Sequence, residues 1–432
     1  MTKRFFQFVL PSMLAFAFSG VYAIVDGLFV GRNVGDIGLA GINIAYPLTA
    51  LIPALGTGIG MGGSVYYSIE YGKGKKEKAK EYVGNTFSSL LIGGILLMIF
   101  LVVTYEPILK IFGASGELLV MAEDYIEFII LGTVFQVLST GLIPILRNYG
   151  AVLPVMLFMI CGFMTNIVLD YLLVVEYQYG VAGAGLATIA GQALTMVLCF
   201  ILFMKKDHRL SLHHYKLRMS YLKSIVSVGI SPFGLTLSPN IVIIFMNWKA
   251  LEFGGDIAVS VYAVISYIIY AVQLLLQGVG DGSQPLISLF IGEKNIEGVK
   301  KIRHLAYGTA VFMAVLGFIS IYLLRYHIPI VFGTSDKVTR LTAHAFPVFA
   351  IGLIFTAYLR ITTSYFYATR KNLFSYILVY GEPIVLFLLL LLVPEFLKLG
   401  GVWISSPLSQ LVLTIVAVIL YTKEKKKAVW II

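Results

Sequence analysis

Residues 51–72 read LIPALGTGIGMGGSVYYSIEYG, and residues 271–292, which lie 220 positions later, read AVQLLLQGVGDGSQPLISLFIG. Both segments are long apolar stretches with glycines and a serine at equivalent positions, and a basic segment follows each of them. The matched pairs are Gly58 with Gly278, Gly60 with Gly280, Gly62 with Gly282, Ser68 with Ser288 and Gly72 with Gly292. Glycines are common in membrane helices, so one match would mean little. Several matches at one offset indicate an internal duplication.

The composition places nearly the whole chain in a membrane. Hydrophobic residues make up 59% of the 432 residues and charged residues 12%, against about 45–50% and about 25% in soluble proteins. Twelve apolar stretches, from 5–30 to 400–421, are each long enough to span a bilayer, which takes about 20 residues. The composition therefore excludes a set of soluble domains.

Six predicted helices in each half bring both halves into the membrane from the same side. We therefore expect an all-α polytopic membrane protein with two six-helix lobes related by a pseudo-two-fold axis along the membrane normal. The predicted lobes are residues 1–206 and 221–432, the second of which includes a basic tail, and residues 207–220 form a cytoplasmic linker. A duplicated bundle with a cleft between its lobes is typical of a transporter.

The net charge of +10 follows the predicted topology. With the N-terminus inside, 24 Lys and Arg residues fall on the cytoplasmic side of the helices and 7 fall on the outer side. This asymmetry predicts a multi-pass protein of the plasma membrane with both termini in the cytoplasm. It also accounts for the basic charge without nucleic acid, which we exclude as a partner.

Cysteine and histidine give no sign of a cofactor or of an enzyme. Cys161 and Cys199 fall in separate predicted helices, and the six histidines lie in predicted loops or at helix ends. The sequence contains no H-E-x-x-H motif and no nucleophile elbow. We therefore predict no resident cofactor and no catalysis, and we favour a transporter over an aspartyl enzyme or a passive channel.

Four polar residues of the first predicted lobe converge at one depth in the membrane. Asp26 lies 21 residues into the first helix and Asp170 lies 17 residues into the fifth, which places them roughly 30 Å and roughly 25 Å from the cytoplasmic end. Asn166 precedes Asp170 by about one helical turn and shares its face. Thr188 lies about two turns into the sixth helix, which descends from the outside.

Such a cluster suits the coupling of transport to a cation. Two carboxylates in an apolar environment cannot both stay ionised cheaply, so they would bind H⁺ or Na⁺ and regain their charge on its release. Pro11 makes the first helix bendable, and we predict that it is the hinge through which binding acts. The alternative is that Asp170 forms a local hydrogen bond and that Asp26 lies among the headgroups.

The second predicted lobe carries a different set of polar residues. Asp281, Gln284, Arg360 and Glu382 are candidates for the lining of a substrate cleft, since polar groups inside a membrane are usually functional. Asp281 either attracts a cationic substrate or pairs with Arg360. Glu382 either accepts a proton or is solvated near the end of its helix.

Several of these segments resemble the multidrug and toxic compound extrusion (MATE) family of transporters. The resemblance covers the whole chain. It rests on the segments Tyr22-Ala-Ile-Val-Asp26-Gly-Leu-Phe-Val30-Gly-Arg, Leu39-Ala-Gly-Ile-Asn-Ile-Ala-Tyr-Pro47, Asn166-Ile-Val-Leu-Asp170, Gly180-Val-Ala-Gly-Ala-Gly-Leu-Ala-Thr188 and Gly282-Ser-Gln-Pro285-Leu-Ile-Ser.

The resemblance implies a V-shaped pair of lobes that exports drugs and other organic cations in exchange for Na⁺ or H⁺. It also implies that Asp26, Asn166, Asp170 and Thr188 form the cation site. The sequence departs from the family in two places: the seventh helix lacks the acidic residue of some relatives, and Asp281 replaces a residue that is often uncharged. We expect a monomer whose partners are small amphipathic or cationic molecules and the lipid bilayer.

An alternative within the same wider superfamily is a flippase or exporter of lipid-linked or other amphipathic precursors. Recognition of a phosphate group favours several Lys or Arg residues. Of the 32 Lys and Arg residues, only Arg360 lies inside a predicted helix. The sequence therefore favours the export of cations.

Overall fold

The computed structural model describes residues 1–205 and 210–429, with side chains for all of these except residues 23, 36 and 425–429. The described chain is almost entirely helical and contains no strand, which confirms the predicted all-α class. The end of the first predicted lobe and the start of the predicted linker, residues 206–209, lie outside the described residues. So does the end of the basic tail, residues 430–432.

Apolar helices account for most of the described chain. Nine of them are long and apolar enough to cross a membrane. The pair Gly116–Leu131 and Thr133–Asn148, which is bent by 57° at its break, adds a tenth candidate. These lengths and compositions support a multi-pass membrane protein.

Two of the nine helices contain a break in the helical geometry. Met219–Gly292 has a non-helical residue at Gly255, and Asn372–Val429 has one at Lys398. Division at these two residues gives twelve segments in the described chain, which agrees with the predicted number. In chain order, α1 to α12 are Thr2–Asn33, Ile37–Gly72, Lys76–Ile111, Gly116–Leu131 with Thr133–Asn148, Val152–Glu176, Gly180–Phe203, 219–254, 256–292, Ile296–Leu324, Asp336–Ala368, 372–397 and 399–429.

The backbone repeats with the same offset as the sequence. Five residues of the first half with a positive φ each have a counterpart with a positive φ that lies 220 positions later. The pairs are Gly35 with Gly255, Gly74 with Lys294, Gly113 with Gly333, Gly150 with Arg370 and Gln178 with Lys398. Left-handed residues commonly end helices, so the two halves turn at equivalent positions. The positive φ is kept even at the two positions where lysine or arginine replaces the glycine, Lys294 and Arg370.

The chain divides into two compact units. The first unit comprises Leu14–Leu237 and Ser288–Ile296, and the second comprises Met1–Met13, Ser238–Ile287 and Glu297–Ile432. These divisions fall inside α1, α7 and α8 and after the first residue of α9 rather than between helices. The lobe boundaries drawn from the sequence stay a prediction.

Glycines of the repeated motif allow helices of the first unit to approach closely. A Cβ atom at Gly60 would clash with the backbone of Gly141 on α4, and one at Gly62 would clash with the carbonyl group of Ile225 on α7. Small residues are common where membrane helices cross, because they let the backbones come together. The glycines that reveal the duplication are therefore packing residues of α2.

The apolar core of the first unit holds together the three helices that carry the predicted cation site. Val30 of α1, Val155 and Val174 of α5 and Val181 of α6 all belong to one buried cluster. Close packing of this kind limits the movement of side chains. The cluster therefore fixes the polar residues on these helices relative to each other.

Candidate cation-binding site

Asp170 stands where the helical geometry of α5 changes. The helix is regular from Val152 to Asp170 and forms a π-helical turn from Tyr171 to Glu176. Turns of this kind are rare and are frequent at functional sites. Asp170 itself is completely buried, so its carboxyl group lies at an irregular and enclosed point of the helix.

The carboxyl group of Asp26 on α1 meets that of Asp170. The two groups lie close enough to each other to interact electrostatically. A hydrogen bond between them requires a proton on one of the two, because ionised carboxylates only accept. Both oxygens of Asp170 and Oδ1 of Asp26 are buried without a partner among the described residues. The pair therefore holds acceptor oxygens that no described protein group satisfies.

Asn166 and Thr188 join this pair from α5 and α6. The Nδ2 atom of Asn166 donates to Oγ1 of Thr188 at 3.4 Å. The other side of the amide, Oδ1 of Asn166, is buried without a partner in the described chain. The four residues that the sequence analysis placed at one depth thus all belong to the first unit, and two of them are directly bonded.

Tyr22 lies beside Thr188 and the carboxylates. Its side chain is close enough to Thr188, Asp26 and Asp170 to interact with them electrostatically. Tyr125 of α4 interacts electrostatically with the same carboxylates. Neither tyrosine was predicted from the sequence. The spacing of four residues from Tyr22 to Asp26, which places both on one face of α1, could have revealed the first.

The atoms that this arrangement can offer to a bound cation are mainly oxygens. Carboxylate, amide and hydroxyl oxygens are the ligands that hard cations prefer. The paired carboxyl groups can also hold a single proton between them, because two adjacent negative charges repel each other. The cluster can therefore bind Na⁺ or H⁺, and either cation would offset the buried charge.

Two of the four predicted polar residues of the second lobe, Asp281 and Arg360, lie near one tyrosine. Tyr367 of α10 donates from its hydroxyl group to Oδ1 of Asp281 at 2.9 Å, and its oxygen lies 3.1 Å from Oγ of Ser364. Arg360 also acts electrostatically on Tyr367. The Nη1 atom of Arg360 is buried without a partner among the residues described. Asp281 and Arg360 thus share a neighbour that the sequence analysis did not identify.

The other predicted residues differ in their exposure. Gln284 is completely buried on α8, whereas Glu382 is half-buried on α11. Pro11 lies inside α1, two residues before the division between the two units. The roles assigned to these three residues stay predictions.

One further group of metal-binding residue types comes together beside α3. The ligand atoms of Glu77, His213 and His214 lie within 4.8 Å of one another. Nδ1 of His214 accepts the backbone N–H of Ser211 at 3.0 Å, so its ring proton is on Nε2. That atom lies 3.2 Å from Oε2 of Glu77 and donates to it. In this arrangement His214 is a hydrogen-bond donor that ties the connecting segment to α3, and Nε2 has no lone pair for a metal.

Comparisons with known sequences agree with the resemblance. The profile of the MatE family matches residues 11–172 and 229–396, one match in each half of the chain. The multidrug export protein MepA of Staphylococcus haemolyticus is 28% identical over 298 residues, which are 68% of this chain and 65% of that protein. MepA of Staphylococcus aureus is 25% identical over 375 residues, 83% of this chain and 81% of that protein.

Comparisons with solved structures concern the fold. A crystal structure of MATE in complex with MaL6 matches with a TM-score of 0.91 at 23% identity, and covers 99% of this chain and 96% of that chain. A MOP superfamily transporter from Pyrococcus furiosus matches with a TM-score of 0.92 at 24% identity and the same coverage. The helical arrangement is therefore that of solved MATE structures.

Proposed function

Because the chain belongs to the MatE family of multidrug efflux transporters, we propose that it is a secondary active transporter that exports organic cations in exchange for Na⁺ or H⁺ by alternating access. The observation that carries the proposal is the buried meeting of Asp26 with Asp170. Buried carboxylates without partners are costly in a membrane, and a mobile cation relieves that cost.

The net charge of the site would differ between the cation-bound state and the cation-free state. With the cation bound, Asp26 and Asp170 share a compensating positive charge, and the apolar helices around them can close. After its release the pair repels, which favours a different position of α1. Pro11 supports such movement, because it removes one hydrogen bond from the helix ladder and lies beside the division between the two units.

The substrate site would lie on the polar residues of the second unit. Asp281 is 5% exposed and accepts a hydrogen bond from Tyr367. Its carboxyl group is an acidic group on an apolar membrane helix. Such a group attracts organic cations, and aromatic side chains nearby favour them further. We therefore propose small amphipathic and cationic molecules as the transported class.

Transport in liposomes tests the coupling directly. Purified protein would be reconstituted, the membrane potential would be clamped with K⁺ and valinomycin, and a Na⁺ gradient or a pH gradient would be imposed separately. We expect one of the two gradients to drive accumulation of a fluorescent organic cation against its concentration. Accumulation that is equal with and without both gradients would contradict the proposal.

Two single variants test the carboxylate pair in this assay. One changes the pair itself, and the other is its matched control. Asp170→Asn should abolish the gradient-driven accumulation, whereas Asp124→Asn should retain it, because Asp124 is an exposed acid of the same unit. Retained accumulation in Asp26→Asn and in Asp170→Asn would remove the carboxylates from the mechanism.

We further propose that the protein is a monomer of the cytoplasmic membrane with both termini inside, as the distribution of Lys and Arg favours. In a chain without its two native cysteines, an impermeant maleimide applied to whole cells should label Lys337→Cys and should not label Lys3→Cys. The reverse pattern would overturn the topology. Light scattering of the purified protein would report its oligomeric state.

A second candidate is the export of lipid-linked precursors with an anionic group. The observation that favours it is Arg360, whose Nη1 atom is buried without a partner in the described part of the chain. Replacement of the fluorescent cation by a fluorescent anionic lipid in the same liposomes separates the two candidates. Gradient-driven movement of that lipid, lost in Arg360→Gln, would favour the second.

A further inference from the structure

A small basic cavity lies at the beginning of α9 in the second unit. It has a volume of about 430 Å³ and is lined by Met1, Glu297, Lys300, Lys301 and His304. The first turn of a helix carries a partial positive charge, because its N–H groups have no partner within the helix. The cavity thus combines a helix beginning with two lysines and a histidine.

The only acidic side chain of the cavity is already paired. Glu297 accepts a hydrogen bond from the ammonium group of Lys300 at 2.9 Å. Lys301 has no ion pair among the described residues, and it is exposed. Nδ1 of His304 lies 2.8 Å from the carbonyl oxygen of Lys300 and must donate to it, so Nε2 of the neutral ring is an acceptor and does not bind an anion. The cavity therefore presents its two lysines, Lys300 and Lys301, to an anion.

The position of the cavity along α9 coincides with the edge of the apolar span. The 20 residues that follow His304, residues 305–324, contain no charged side chain, and this length matches the hydrocarbon thickness of a bilayer. His304 therefore lies at the level of the lipid headgroups. In the proposed topology this is the cytoplasmic leaflet.

An exposed apolar stripe continues from the cavity down the same helix. Gly308, Val311, Val315 and Ile319 follow His304 at intervals of three or four residues, so they share its face. The three larger side chains are 39–46% exposed. A Cβ atom at Gly308 would meet nothing within 4 Å, so the stripe has open space directly below the cavity.

We propose that this cavity binds the phosphate group of an anionic phospholipid, with one acyl chain along the stripe from Gly308 to Ile319. Lys300 and Lys301 would hold the phosphate oxygens, and the first turn of α9 would add its partial charge. Basic pockets at the membrane surface recognise lipid phosphates in this way. The apolar stripe distinguishes a lipid from free phosphate, which would gain nothing from it.

Native mass spectrometry of the purified full-length protein tests the proposal. The probes are phosphatidylglycerol, phosphatidylcholine with identical acyl chains, and inorganic phosphate as a competitor. We expect one tightly retained phosphatidylglycerol per chain and weaker retention of phosphatidylcholine. Equal retention of the two lipids, or displacement of phosphatidylglycerol by millimolar phosphate, would overturn the assignment.

Variants locate the bound lipid. The double variant Lys300→Gln and Lys301→Gln should weaken phosphatidylglycerol binding roughly thirtyfold, or about fivefold for each lysine. Lys371→Gln, which removes an exposed lysine elsewhere in the same unit, should leave binding unchanged. Gly308→Leu, which fills the open space, should weaken both lipids. Equal loss in Lys371→Gln and in the double variant would show diffuse attraction and would exclude this site.

Discussion

The carboxyl groups of Asp26 and Asp170 lie close enough to each other to interact electrostatically, although 144 residues separate them along the chain. α1 brings one of them into the first unit and the end of the regular part of α5 brings the other. Two like charges at this distance destabilise the fold unless a cation lies between them. Stability should therefore depend on the coupling ion.

Asp170→Asn should remove that dependence. In the parent protein, the coupling ion at ten times its dissociation constant should raise the free energy of unfolding by about 1.4 kcal/mol. The variant lacks one of the repelling charges, so its melting temperature in detergent should be higher without the ion and should respond less to it. A melting curve that shifts with the ion as much as the parent's would contradict this expectation.

The hydroxyl group of Thr188 should contribute to ion affinity rather than to the fold. Thr188→Val removes the acceptor of the Asn166 amide and one oxygen of the cluster, whereas Thr188→Ser keeps both. We expect a roughly threefold to tenfold weaker apparent affinity for the coupling ion in Thr188→Val, from about 0.5–1.5 kcal/mol for one hydrogen bond. Initial rates of efflux at varied ion concentration measure it, and equal affinities in the two variants would rule out the contribution.

Tyr367→Phe should destabilise the second unit through Asp281. The variant removes the hydrogen bond at 2.9 Å from Tyr367 to Oδ1 of Asp281, and a hydrogen bond to a charged group contributes about 1.5–3 kcal/mol. Thermal unfolding of Tyr367→Phe, of Asp281→Asn and of the double variant forms a double-mutant cycle. Effects that simply add would show that the two side chains do not interact energetically.

Lys294→Gly should stabilise the protein. Lys294 has a φ of 58°, a conformation that costs about 1–2 kcal/mol in residues other than glycine. Its counterpart Gly74 has a φ of 76°, so Gly74→Ala should destabilise by a similar amount. Melting temperatures that move in the same direction for the two substitutions would contradict the interpretation of these turns.

Most of the fold could be predicted because it depends on local properties of the sequence. Twenty consecutive apolar residues are sufficient to predict a membrane helix, and the regular spacing of Gly58, Gly60 and Gly62 carried the duplication. The turns at Lys294 and Lys398 could not be predicted in the same way. Lysine rarely adopts a positive φ, and helix packing on both sides of the turn imposes it.

The candidate site could be predicted only for residues whose depth in the membrane alone was enough to place them together. A rise of 1.5 Å per residue placed Asp26 and Asp170 at similar levels, and both are found in one unit. The partnership of Tyr367 with Asp281 could not be predicted, because 86 residues separate them. Contacts of this kind depend on which helix faces meet, and a single sequence does not specify that.

The repeated turns also allow each polar residue of the first half to be compared with its counterpart. At the offset of 220, Asp26 corresponds to Met246, next to Asn247, and Asn166, Asp170 and Thr188 correspond to Leu386, Leu390 and Leu408. No counterpart carries a carboxyl group, so duplication of the backbone was not accompanied by duplication of this cluster. We therefore expect a stoichiometry of one such cation site per chain and a Hill coefficient near one for the coupling ion. The second half would then be a scaffold into which a designed copy of the site could be introduced.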